Sequence, residues 1–197
     1  MILNMSTRPH LQDIQHSRLL FYYGHHVDEG LLQGYDLLVL DPASNCVPTR
    51  VHGSGRRVLA YTSVGEVLPT RPWFSRLPTH WHLGRHAAWR SSIVDQAAAG
   101  WPHFFVEHVA TPCWRAGYRG FFLDTMDSYR LLRPDPACAR HQQAGIIRLV
   151  RQLRAAHPEA TIITNRGFEL MDALHEAVDA VCFESLYGGW DQQRQQY

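Results

Sequence analysis

The stretch Gly120-Phe121-Phe122-Leu123-Asp124-Thr125-Met126-Asp127-Ser128-Tyr129 is an apolar run that ends abruptly in an acidic, hydroxyl-rich cluster. The pattern returns as Val178-Asp179-Ala180-Val181-Cys182-Phe183-Glu184-Ser185-Leu186-Tyr187. Each segment reads as a buried parallel strand with a carboxylate at its C-terminal end. In a βα architecture that end is where chemistry is built. Two carboxylates placed this way suit the acid/base or nucleophile pair that glycosidic bond cleavage requires.

Working outward, an alternation of apolar strands and amphipathic helices fills the chain. Strands are expected at 19–23, 37–40 (ending in Asp41-Pro42), 57–63 (ending in Val64-Gly65-Glu66), 121–124, 161–164 (ending in Asn165-Arg166-Gly167) and 178–184. They are short and rich in Val, Ile, Leu, Phe and Tyr, as strands buried on both faces are. Between them, Ile146, Leu149, Val150 and Leu153 recur at helical spacing until His157-Pro158, and Leu170, Leu174, Ala177 and Val178 repeat that spacing. Pro102 opens another helix, disturbed at Pro112 and closed near Gly117.

This alternation gives an α/β fold with a parallel sheet. A (β/α)8 TIM barrel needs eight units. Six are found, so the expected fold is of that type, truncated to about six βα units. Residues 1–18 read as an N-terminal extension and 19–197 as the barrel domain. The strands should lie in sequential order, with a gap between the first and the sixth. The rival is a doubly wound open sheet, but the first strand–helix turn, Gly24-His25-His26-Val27-Asp28, carries no G-x-G-x-x-G fingerprint.

Composition narrows the function. A formal charge of +1, with 45% hydrophobic and 19% charged residues, describes one ordinary domain without a nucleic-acid or membrane-attracting surface. No apolar run approaches the ~20 residues of a membrane span, and residues 1–11 show no signal-peptide core. Cys46, Cys113, Cys138 and Cys182 form no C-x-x-C unit, and Cys182 reads as a small core residue. His80-Trp81-His82 with His86 resembles a metal cluster but lies in a loop-like region and reads better as surface or structural histidines, as does His25-His26. The long connection 67–101 carries Trp73, Trp81, Trp89 and Trp101. Most of these should pack the connection onto the barrel, and one or two should face ligand.

At the strand ends stand Tyr23, Asp41, Glu66, Asp124, Asp127, Asn165, Glu184 and Tyr187. This set has no G-x-S-x-G, H-E-x-x-H or Walker motif beside it. The aromatic connection favours carbohydrate over Mg²⁺, the other partner that acidic pairs take. A bland reading remains for Asp127 and Ser128, as caps of a following helix.

As an ordered set, the motifs resemble glycoside hydrolase family 114, the endo-α-1,4-polygalactosaminidases. The resemblance is carried by Phe21-Tyr22-Tyr23-Gly24, Tyr35-Asp36-Leu37-Leu38-Val39-Leu40-Asp41-Pro42, Leu59-Ala60-Tyr61-Thr62-Ser63-Val64-Gly65-Glu66, the 120–129 segment, Thr164-Asn165-Arg166-Gly167 and Phe183-Glu184-Ser185-Leu186. It implies a (β/α)8 barrel with Asp124 as nucleophile after strand four and Glu184 as acid/base after strand six. Tyr23, Glu66, Asp127, Asn165 and Tyr187 are then substrate-binding candidates, with Glu66 and Asp127 second in rank. It also implies cleavage of a Pel-like α-1,4-linked galactosamine or N-acetylgalactosamine exopolysaccharide, with neither cofactor nor metal. The parent protein would be periplasmic or secreted and would carry a polysaccharide deacetylase domain. With strands seven and eight absent, little or no hydrolysis is expected of these 197 residues alone. Two other classes stay open: a carbohydrate-binding barrel without competent catalysis, and a metal-dependent enzyme using Asp124, Asp127 and Glu184.

Overall fold

The computed structural model describes residues 2–4, 14–52 and 55–184. In chain order the elements are β1 (Ile2–Asn4), β2 (Leu19–Tyr22), α1 (Glu29–Leu32), β3 (Leu37–Leu40), α2 (Pro48–His52), β4 (Arg57–Ser63), β5 (Glu66–Val67), β6 (His82–His86) and β7 (Ser91–Val94). There follow α3 (Trp101–Phe105), a π turn (Val106–Ala110), α4 (Thr111–Arg115), β8 (Gly120–Asp124), α5 (Pro136–Ala156), β9 (Thr161–Asn165), α6 (Met171–Leu174) and β10 (Ala180–Cys182).

Six strands, β2-β3-β4-β8-β9-β10, lie side by side in chain order and pair in parallel throughout. The order never reverses, so the sheet is of barrel type and not doubly wound. β1 joins the free edge of β10 in antiparallel fashion, with Leu3 opposite Val181.

The sheet is curled, and its side chains show it. β2 and β8 are separated by two strands, about 14 Å at ordinary strand spacing, yet the Phe21 and Phe122 rings meet at 4.9 Å. Arg57 likewise reaches over β8 to donate to Thr161 at 2.6 Å. Strand periodicity of two then sorts the residues. Leu37, Val39, Leu59, Phe122, Ile163, Ala180 and Cys182 fill the concave inside, with Ile14 packed among them. Leu38, Leu40, Val58, Ala60, Phe121, Leu123 and Ile162 face the helices outside.

The helices follow from local chemistry. Asp135 caps α5 by accepting from the Ala137 and Cys138 amides at 2.8 Å, and Pro136 follows at the first turn. The stripe Ile146, Leu149, Val150 and Leu153 is buried against the sheet. Gly145 has no alternative: a Cβ there would lie 1.8 Å from the Gln96 carbonyl. The rod from α3 to α4 widens into its π turn just before Pro112, whose ring would clash with the His108 carbonyl in a regular α-helix.

The connection 67–101 has a sheet of its own, of strands β5-β7-β6, all antiparallel. Trp101 is fully buried, donates to the Val64 carbonyl at 3.1 Å, and gathers Trp73, Trp81 and Phe104 around it at 5.9–6.4 Å. Trp89, just past β6, is 67% exposed. The histidines of this region disperse. His82 bonds Ser92 and His80 packs edge-on to Trp81, while His86 faces Glu66. Among the described residues no three His, Cys, Asp or Glu side chains are grouped as metal ligands. The four cysteines are free thiols. Among the described residues no helix is long and apolar enough to cross a membrane.

Candidate active site

The inward parity of each strand carries through to its C-terminal end. Tyr23 continues β2 inward and Asp41 continues β3. Tyr61 and Ser63 are inward on β4, Asp124 on β8, Asn165 on β9, and Glu184 follows Cys182 by two residues. Tyr23, Asp41, Glu66, Asp124, Asp127 and Glu184 line one open cavity of about 1060 Å³. Tyr187 lies outside the described residues.

Asp124 is held from both sides. Tyr61 donates to its Oδ2 at 2.5 Å, and Asn165 donates to its Oδ1 at 2.8 Å. Burial, and then the adjacent Asp124 charge, push the Tyr61 phenol well above its ordinary value, so it stays a donor. Tyr23 stacks obliquely on Tyr61 at 4.6 Å. Its phenol is raised by burial first and next by the charges of Asp124 and Glu184, which both bear on this ring.

The turn after Asp124 is strained and pinned. Thr125, a β-branched residue, has φ +61, a conformation that costs about 1–3 kcal/mol. Its hydroxyl donates to the Asp124 carbonyl at 2.6 Å and accepts from Ser63 Oγ at 2.5 Å and from the Gly65 amide at 3.0 Å. Gly65 allows this approach, since a Cβ would stand 2.1 Å from the Thr125 carbonyl. Asp127 then begins a 3-10 turn, Ser128–Leu132, without capping it. Its carboxylate lines the cavity instead.

Two other carboxylates are already engaged. Asp41 receives both prongs of Arg71 at 2.7 and 2.8 Å. Burial works to raise the Asp41 carboxyl, but the Arg71 bonds and the Ala43 amide outweigh it and hold it below its ordinary value. Glu66 is only 6% exposed and accepts from Ser91, Ser128 and His86.

A sheet curled this way, with acids at adjacent strand ends, invites comparison with known proteins. The model of the glycoside-hydrolase family GH114 matches residues 20–195. The chain belongs to this family. Among solved structures it is similar to the glycoside hydrolase domain of PelA from Pseudomonas aeruginosa, with 29% identity and a TM-score of 0.80 over 91% of this chain and 72% of that one. It is also similar to Ega3 of Aspergillus fumigatus, solved in complex with galactosamine, with 12% identity and a TM-score of 0.68 over 82% of this chain and 64% of that one. An α-amylase from Geobacillus thermoleovorans matches at 10% identity and a TM-score of 0.54, over 84% and 51%. The last two likenesses are of fold alone. No curated protein matches the sequence significantly.

GH114 membership makes the chain a glycoside hydrolase, and its site holds residues that sequence reasoning passed over. Of the strand-end residues, Asn165 does reach Asp124, while the phenol that donates to it is Tyr61, from within β4, and not Tyr23. Alternation from Ser63 back to Tyr61 was the available signal. Arg71 and His86 come from the long connection. In sequence His86 reads as a surface or structural histidine, and nothing there ties Arg71 to Asp41.

Proposed function

We propose that the protein is an endo-acting hydrolase of α-1,4-linked galactosamine or N-acetylgalactosamine exopolysaccharide, Pel-like in type, working by a retaining two-carboxylate mechanism. The observation that carries this reading is Asp124, a carboxylate on the rim of a large cavity, fixed by two neutral donors and sharing that cavity with Glu184. The two donors hold the carboxylate in a single orientation, as a positioned nucleophile needs.

In the first step Asp124 attacks the anomeric carbon while Glu184 gives its proton to the departing glycosidic oxygen. The result is a glycosyl ester on Asp124. In the second step Glu184, now ionised, takes a proton from water. That water attacks the same carbon, and the ester bond breaks with net retention. Tyr23, Glu66, Asp127, Asn165 and Tyr187 are proposed as residues that shape substrate binding. Trp89, exposed beside the cavity, offers an aromatic face to a sugar ring. The family resemblance supports a periplasmic or secreted setting and a deacetylase domain in the parent protein.

The test is hydrolysis by a chain that carries all eight βα units. It should release reducing ends from the polymer, with the product's anomeric configuration retained by NMR. The two carboxyls should lie about 5–5.5 Å apart. Inverted product, or a spacing of roughly 6.5–9.5 Å, would overturn retention. Polymer binding without any cleavage would overturn catalysis.

A further inference from the structure

Glu66 lies where a site carboxylate is expected, yet its oxygens are occupied. The three-stranded sheet of the long connection brings β5, β7 and β6 together, so that Glu66, Ser91 and His86 meet across it. Ser91 Oγ donates to Oε2. Ser128 Oγ, from the turn after Asp124, donates to Oε1 at 2.5 Å. His86 Nδ1 sits 3.2 Å from both oxygens. With three donors on a side chain that is 6% exposed, little is left of Glu66 for a substrate amine.

The chemistry passes to the histidine. A carboxylate that accepts two hydroxyl protons requires the proton of His86 on Nδ1, and in the neutral ring that leaves Nε2 as a bare acceptor. His86 is partly exposed and lines the same cavity as Asp124. Among the described residues its Nε2 has no hydrogen-bond partner. The arrangement is that of a metal-binding histidine oriented by an outer carboxylate, with a sugar in place of the metal.

We propose that His86 is a substrate-binding residue and Glu66 the residue that positions it, with Nε2 accepting a hydrogen bond from a donor on the sugar in the cleft. This rests on the reading of the protein as a galactosamine-polymer hydrolase. The donor is a sugar hydroxyl or an ammonium group.

Binding needs no turnover, so the test uses the chain as it stands, with N-acetylated and de-N-acetylated galactosamine oligomers in calorimetry. An asparagine amide occupies the place of Nδ1 and a glutamine amide that of Nε2, so the two replacements separate the roles. His86→Asn keeps the Glu66 contact and should bind roughly tenfold more weakly, the worth of one hydrogen bond, with Tm unchanged. His86→Gln should recover most of that affinity. Glu66→Gln should weaken binding by a similar factor, and the Glu66→Gln/His86→Asn pair should be no worse than His86→Asn alone. Loss confined to the de-N-acetylated oligomer identifies the ammonium as donor, and equal loss on both identifies a hydroxyl. Wild-type affinity in His86→Asn, or the reverse ranking of Asn and Gln, overturns the proposal. If the wild-type chain binds neither oligomer, the functional reading fails. The positioning is still judged by ¹⁵N NMR at about pH 8, where a His86 proton on Nε2 with a bare Nδ1 refutes it.

Discussion

Asp124→Asn and Glu184→Gln test the two carboxylate roles against each other. Asparagine at 124 keeps an oxygen for the Asn165 amide at Oδ1 and offers an N–H towards Tyr61, whose hydroxyl turns from donor to acceptor. Two hydrogen bonds to a charge become two between neutral groups. Each falls from about 1.5–3 to about 0.5–1.5 kcal/mol, a loss of about 2 kcal/mol in all. For a domain of this size that lowers Tm by at most roughly 4–8 °C, so the variant stays folded under assay conditions. Turnover should fall far further. Removing a positioned acid or base costs ~10²–10⁴-fold, and removing the nucleophile at least as much. The two variants part in rescue. With a leaving group that needs no proton, Glu184→Gln still forms the glycosyl ester on Asp124. Azide then releases a glycosyl azide of retained configuration. Asp124→Asn gains little from either change. The measurement is kcat/KM for polymer and for an activated aryl glycoside, with and without azide, on the eight-unit domain. Wild-type-like turnover by Asp124→Asn refutes the mechanism, and azide rescue of Asp124→Asn to a glycosyl azide of retained configuration exchanges the two roles.

Tryptophans of one connection should behave in opposite ways. Trp89→Ala, at an exposed site, should leave Tm within about 2 °C and raise KM for polymer several-fold, stacking being worth on the order of 1 kcal/mol. Trp101→Ala removes a fully buried ring and its bond to Val64, and should cost about 3–5 kcal/mol in denaturant unfolding. Asp179 is buried and bonds both Arg154 and the Ile162 amide. Asp179→Ala takes the carboxylate from a guanidinium that keeps the Ala177, Pro158 and Ala160 carbonyls as acceptors, and breaking the buried ion pair should destabilise by about 3–5 kcal/mol. Burial holds the His157 imidazole below its ordinary value of 6.5. The folded state therefore binds fewer protons, and the stability this histidine contributes is complete above about pH 6.5 and lost as pH falls. His52, lowered by burial and then by Arg119 and Arg57, adds to the same slope. Tm should drop between about pH 7 and pH 5, less steeply in His157→Gln; an unchanged slope in that variant refutes the assignment.

What was legible in the sequence, and what was not, divides along a physical line. β3 and β4 have the bounds read from the apolar runs, because strands buried on both faces carry near-continuous apolar stretches, here Leu37-Leu38-Val39-Leu40 and Val58-Leu59-Ala60. The order of the six parallel strands follows from the same runs, since each short crossover returns the chain beside its predecessor. Tyr61 was harder. Inside Val58-Leu59-Ala60-Tyr61 a phenol reads as one more strand former, and only its parity with Ser63 turns it towards Asp124. Glu66 shows where such reading stops. Its position at the end of a strand follows from the chain, but its partners do not. Ser91 and His86 reach it through antiparallel pairings between strands of two to five residues, one of them carrying a register shift between His82 and Gly84. Strands that short carry too little alternation to reveal a register. The parallel strands therefore determine which side chains point at the sugar. The inserted sheet determines which carboxylates remain free to meet it, and in Glu66 it removes one.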